Sequence, residues 1–163
     1  MLVLFLDFDG VITTSKSRDA MWLLHSRKHL TQREKNIEQI DKTLANNIRI
    51  FCERTGAKIV ISSGWRLCDD MDDLKDFLLA SGQIPSELII DKTPFDDEGE
   101  SRGKEISLWL QDHPEVTEFV ILDDDHTVRD VKELIPRWVK TSRTRGFNEE
   151  KLGEALRLTS HAS

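Results

Sequence analysis

Asp7 and Asp9 stand two residues apart at the end of an apolar run, Val3-Leu4-Phe5-Leu6, and Gly10 follows them at once. The run reads as a buried strand, and a glycine just after it lets the backbone turn, so the two carboxylates need not point apart. Paired acids at the carboxyl end of a first strand form an oxygen-rich site of the kind a hard cation such as Mg²⁺ takes. A second acidic group, Asp123-Asp124-Asp125, follows another apolar run, Phe119 to Leu122. Three consecutive like charges repel one another and suit a purely structural use poorly. Between these groups lie Ser62-Ser63-Gly64 with Trp65 and Arg66 behind them, then Arg102 and Lys104 where a helical pattern opens. Taken singly, the serines read as a turn and N-cap, and Lys104 reads as a solvated lysine.

The elements that must position these groups alternate. Strands are expected at 3–6, 58–61, 88–90 and 119–122, with an edge strand at 137–140. Steps of three and four through Ile37, Ile40, Leu44, Ile48 and Phe51 predict one amphipathic helix from Arg33 to Arg54, stopped by Gly56. Further helices are expected at 70–80, from Lys104 to Gln111, and at 148–158, with a short helical stretch at 128–134. Residues 93–103 read as a polar loop, 13–17 as another, and Trp22 to Leu24 as a short helix. Alternating strands and helices with right-handed crossovers give an α/β, Rossmann-like three-layer fold, a mostly parallel sheet with helices on both faces. All four reactive pieces then fall at the same end of neighbouring strands.

The 163 residues suit a single domain, expected over 1–158, with a frayed tail at 159–163. No run approaches the roughly 18 apolar residues of a membrane span. Met1 leads straight into a core-like strand, and Cys52 and Cys68 lack metal or redox spacing, so a cytoplasmic location with reduced thiols is expected. The net charge of −7 argues against a stable duplex nucleic-acid partner. A basic stretch, Arg137, Lys140, Arg143 and Arg145, remains able to guide a polyanion, or else serves as a solvated edge strand.

The joint pattern resembles the haloacid dehalogenase-like (HAD) phosphohydrolase superfamily. Asp7-Phe8-Asp9-Gly10-Val11 matches its first motif, Ser62 its second, Lys104 its third and Asp123-Asp124 its fourth, in the right order from residue 2 to about 140. A narrower likeness, carried by Ser62-Ser63-Gly64-Trp65-Arg66, Thr93-Pro94, Arg102 with Glu105-Ile106, Ile121 to Asp125 and Gly146-Phe147, is to small HAD domains of phage and bacterial proteins and of multidomain RNA-repair proteins.

The resemblance implies a Mg²⁺-dependent phosphomonoesterase. Asp7 would be the nucleophile that forms an aspartyl-phosphate, and Asp9 the acid and then the base. The ion would sit on Asp7, the backbone carbonyl of Asp9 and Asp123, with Asp124 binding it through water or orienting Lys104. Ser62, Ser63 and Gly64 would grip phosphoryl oxygens, and Lys104 would balance their charge; Arg102 is its rival. Trp65 and Arg66 either meet substrate or pack and pair locally. His126 reads as a loop-structuring residue. The presence of Asp9 favours a phosphatase over a dehalogenase.

Neither gap between motifs holds a full cap domain. At most a small helical flap over 13–32 is expected, leaving a site open to bulky substrates such as a nucleic-acid end or a phosphoprotein unless a partner subunit closes it. The alternatives are a phosphoprotein phosphatase, a catalytically idle HAD-like binding module, or a response-regulator-type phosphoacceptor, whose nucleophile normally ends the third strand.

Overall fold

A computed structural model describes residues 1–98 and 101–160, all but the side chain of Ser160. Its centre is β1 (Leu2–Leu6), paired in parallel with β2 (Lys58–Ile61) on one side and β4 (Glu118–Asp123) on the other. The strands β3 (Ile89–Lys92) and β5 (Trp138–Lys140) form the edges, giving an all-parallel order β3-β2-β1-β4-β5. A strand buried on both faces must be apolar throughout rather than alternating, and Val3 to Leu6 are all fully buried.

Period two sorts those side chains into two cores. Leu4 and Leu6 face a large cluster built from α3 (Lys42–Thr55), α4 (Met71–Gly82) and α6 (Glu149–Ser160), including Ile48, Phe51, Leu74 and Leu78. Val3 and Phe5 face a smaller one, in which Ile106 and Trp109 of α5 (Arg102–Asp112) join Val128 and Leu134 from two 3-10 turns. Helical layers therefore cover both faces, as the α/β pattern predicts. Both cysteines are free thiols, Cys52 buried and Cys68 exposed.

Several local expectations change. The single helix over 33–54 is two, α2 (Gln32–Glu38) and α3. Asp41 breaks it: its side chain caps Leu44 N–H at 3.0 Å, and its own N–H donates to the Ile12 carbonyl at 2.8 Å. The polar stretch 13–17 is a helix start. Thr14 and Ser17 form a reciprocal capping box that opens α1 (Ser15–Lys28). The α5 helix begins at Arg102, two residues before Lys104, because Ser101 is its N-cap. The 128–134 stretch is two 3-10 turns, His126–Asp130 and Lys132–Arg137. The tail expected to fray is helical through Ser160, and 161–163 lie outside the described residues.

Candidate active site

Strand order reverses between β1 and β4, so the crevice that such sheets offer to ligands opens at their carboxyl ends. Leu6 pairs with Leu122, which sets Asp7 beside Asp123 one residue further on. Asp7 N–H still bonds the Leu122 carbonyl at 3.1 Å, and Ser62 N–H bonds the Leu6 carbonyl at 3.0 Å. The ladder thus brings the ends of β1, β2 and β4 together at one point.

Beyond Asp7 the chain folds back on itself. The Phe8 carbonyl accepts N–H bonds from Val11, Ile12 and Thr13. Gly10 makes the turn at φ 78°, and an added Cβ there would lie inside the Asp124 carboxylate. Asp9 is held by two donors, Thr13 Oγ1 at 3.0 Å and Trp65 Nε1 at 3.2 Å. Its carboxylate therefore stands apart from the acidic cluster proper, which comprises Asp7, Asp123 and Asp124. One oxygen from each of these lies within 4.8 Å of the others.

Asp7 and Asp123 are buried and Asp124 half-buried, so the cluster is electrostatically costly. Burial pushes the Asp7 carboxyl well above its usual range, and Asp123 adds to this while Arg102 opposes it. Burial also raises Asp123, to about 6, against the pull of Arg102. Asp124 moves the same way, again chiefly by burial. Three acids driven toward protonation, with ligand oxygens converging, make a donor set suited to a divalent cation, whose charge would reverse those shifts. Several buried polar atoms here also lack hydrogen-bond partners: Ser62 Oγ, Asp123 Oδ2, and Nε and Nη1 of Arg102. Interiors seldom tolerate such orphans, and their concentration beside one acid cluster marks a place shaped for a polar ligand.

The cation set against Asp123 is Arg102, while Arg143 reaches Asp124 from the rim. The Arg102 Nε lies 3.0 Å from Asp123 Oδ2, without hydrogen-bond alignment, and its Nη1 lies 3.7 Å from Glu105 Oε2. Burial works against its charge, yet Asp123, Asp7, Glu105 and Asp125 together hold it above its ordinary value. Lys104 is exposed and forms no ion pair among the described residues. Of the two rivals, the fold brings Arg102 to the acids, because the helix starts earlier than its apolar pattern suggests.

Arg66 is fully engaged. Its five N–H groups meet five acceptors: the carbonyls of Thr93, Ser62, Ser63 and Pro94, and Glu105 Oε2 at 2.9 Å. It ties the Ser62–Gly64 turn to the loop after β3 and to α5. Trp65 packs edge-on against Phe8 and Phe77 while its N–H holds Asp9. Ser63 Oγ caps Trp65 N–H, and Gly64 is exposed at the turn. Asp125 caps its own 3-10 turn through Thr127, and His126 is exposed. Two partners escaped the reading of the sequence. Thr13, which fixes Asp9, had a signal in its i+4 spacing; Glu105, which bridges two arginines from different segments, had only its place three residues after Arg102.

The family described as the HAD domain in Swiss Army Knife RNA repair proteins matches residues 3–152. The chain belongs to that family. No curated protein and no solved structure matches it. Membership in this HAD family, with the three-acid cluster at the sheet's switch point, supports hydrolase chemistry of the phosphohydrolase kind. No helix among the described residues is long and apolar enough to cross a membrane.

Proposed function

We propose that the chain is a Mg²⁺-dependent phosphomonoesterase working through an aspartyl-phosphate on Asp7, with nucleotides or polynucleotide ends as substrates. The observation that carries this is the convergence of Asp7, Asp123 and Asp124, with the buried, unpartnered Ser62 Oγ at the end of the neighbouring strand β2. The family's description, with its reference to RNA repair, supports the nucleic-acid side of the reading.

Asp7, Asp123 and Asp124, with the backbone carbonyl of Asp9, would hold the ion. Bound there, it supplies the positive charge that lets an anionic carboxylate approach an anionic phosphoester. Asp7 attacks phosphorus, the P–O(Asp7) bond forms and the ester P–O bond breaks. Asp9, held by Thr13 and Trp65, protonates the departing oxygen, then takes a proton from the water that attacks phosphorus and frees Asp7. Ser62 Oγ and the amides of Ser63 and Gly64 bind phosphoryl oxygens. Arg102 balances the charge that builds in the transition state; what supports giving it this role over Lys104 is its place against Asp123.

The test is phosphate release from an aryl phosphate, nucleoside monophosphates, sugar phosphates and 3′- and 5′-phosphorylated oligonucleotides, with and without Mg²⁺. Release that needs Mg²⁺ and vanishes in Asp7→Asn is expected. Release that survives in Asp7→Asn would remove the nucleophile from the proposal, and release from none of the panel would favour a binding module.

A further inference from the structure

The geometry points to a single-strand nucleotide subsite in the groove between α1 and the turn after β5, where Arg18 and Arg143 take a phosphodiester and Trp22 stacks on its base. This rests on the reading that the phosphomonoester sits at Asp7. The groove has a volume of about 260 Å³ and starts at the reacting centre, since Asp9, Gly10 and Thr13 form its inner wall. Arg18, Trp22 and Arg143 line it as well.

Arg18 and Trp22 lack a better structural explanation, while Arg143 also pairs with Asp124. Arg18 is exposed and has no ion pair or side-chain hydrogen bond among the described residues. Asp19 also lines the groove. Arg143 is 71 % exposed at the side chain, and its Nε stands 3.6 Å from Asp124 Oδ2, at the rim of the acid cluster. Trp22 is 53 % exposed on a helix whose sole buried residue is Met21. Its ring meets His25 edge-on, and Lys35 Nζ lies 5.6 Å from its centre. About half of that indole stays open on the groove wall, where a flat base has a face to stack on.

Spacing selects the ligand class. Arg18 and Trp22 are i, i+4, so guanidinium and indole lie on one helix face a turn apart, matching an anion and a flat ring within one nucleotide. A sugar monophosphate would place its only anion on Asp7's side and leave both arginines unused. A base paired in a duplex cannot lie on Trp22, so the strand end must be unpaired. Arg18 also borders a second groove of about 410 Å³, which reaches Asp9 past Trp65 and Gln32 and gives a strand room to continue.

The experiment uses the full chain carrying Asp7→Asn, with Mg²⁺, and reads binding by fluorescence anisotropy. Probes are a labelled five-nucleotide strand phosphorylated at its 3′ or 5′ end, the same strand with abasic sites, and a labelled phosphoserine peptide; unlabelled inorganic phosphate competes. Trp22→Ala should weaken the base-bearing strand roughly tenfold and leave the abasic strand within about twofold. Arg18→Ala should lower the slope of log affinity against log salt by about 0.7. Equal effects of Trp22→Ala on both strands overturn the proposal. So does a strand that binds no tighter than inorganic phosphate, or a peptide that binds tighter than the strand and loses as much with Trp22. Binding needs no turnover, so a wild-type chain that releases no phosphate yet shows the expected pattern sinks the phosphatase reading and leaves the subsite standing.

Discussion

Removing Glu105 should loosen the Ser62–Gly64 turn and Arg102 together. Its side chain is 6 % exposed, and its Oε2 faces Arg66 Nη2 at 2.9 Å and Arg102 Nη1 at 3.7 Å. Its Oε1 accepts Asp96 N–H. Burial already lowers the Arg66 pKa, and Glu105 is the foremost charge opposing that. In Glu105→Ala two buried guanidinium groups face each other without their shared acid. Breaking a buried pair from one side costs about 3–5 kcal/mol. Arg66 keeps its four carbonyl acceptors, which places the expectation near the lower end, about 3 kcal/mol. That is a large share of the roughly 5–15 kcal/mol that holds a domain of this kind. Urea unfolding should show the midpoint fall with an unchanged slope. Glu105→Gln keeps the shape and one acceptor but loses the charge, and should cost about 1–3 kcal/mol. An alanine variant within about 1 kcal/mol of wild type would refute the claim that this bridge holds the Ser62–Gly64 turn and Arg102 in place.

Stability without metal should fall as pH rises. An acid whose folded pKa exceeds its unfolded value keeps its proton longer when folded, so it stabilises the native state at low pH and that contribution is lost through the interval between the two values. For Asp123 the interval runs from 3.8 to about 6, corresponding to about 3 kcal/mol, with Asp7 and Asp124 shifted the same way. Thermal melts in chelator from pH 4.5 to 7.5 should show the decline, and Mg²⁺ at about 100 times its Kd should return about 2.7 kcal/mol at the upper end; a melt indifferent to both counts against the cation site. Arg102→Ala should lower kcat on an aryl phosphate about 10²–10³-fold while Lys104→Ala stays within a few-fold, and the opposite order returns the role to Lys104. Gly10→Ala should cost about 1–2 kcal/mol in backbone strain and weaken Mg²⁺ binding through the displaced Asp124, both read by metal-titrated melts; wild-type affinity would show that Asp124 is dispensable.

The sheet and its acids were legible because their causes are local. A central parallel strand has to be apolar at every position, and reactive residues after such runs fall at one end of the sheet. The break between α2 and α3 was hidden because Ile37, Ile40 and Leu44 keep helical spacing across it, while the interruption depends on Asp41 and a distant carbonyl at Ile12. Which of Arg102 and Lys104 lies against the acids turned on which residue caps α5. Ser101 was visible, but the apolar positions alone do not reveal the cap. Arg66 and Glu105 were harder still, since each is explained by partners from loops that the sequence leaves far apart.

The two sides of the active site are held by very different means. Val3 to Leu6 of β1 lie fully buried between two partner strands, so their amides should exchange only when the domain unfolds. Helix α1 has one buried residue and is fastened near its N-terminus by Ser15 N–H on the Arg143 carbonyl and Ser17 Oγ on the Gln39 carbonyl. Its amides can exchange through local opening at far lower free energy. The floor that carries the acids and the wall that carries Arg18 and Trp22 should therefore differ in hydrogen-exchange protection, with the two joined where Thr13, just before α1, holds Asp9.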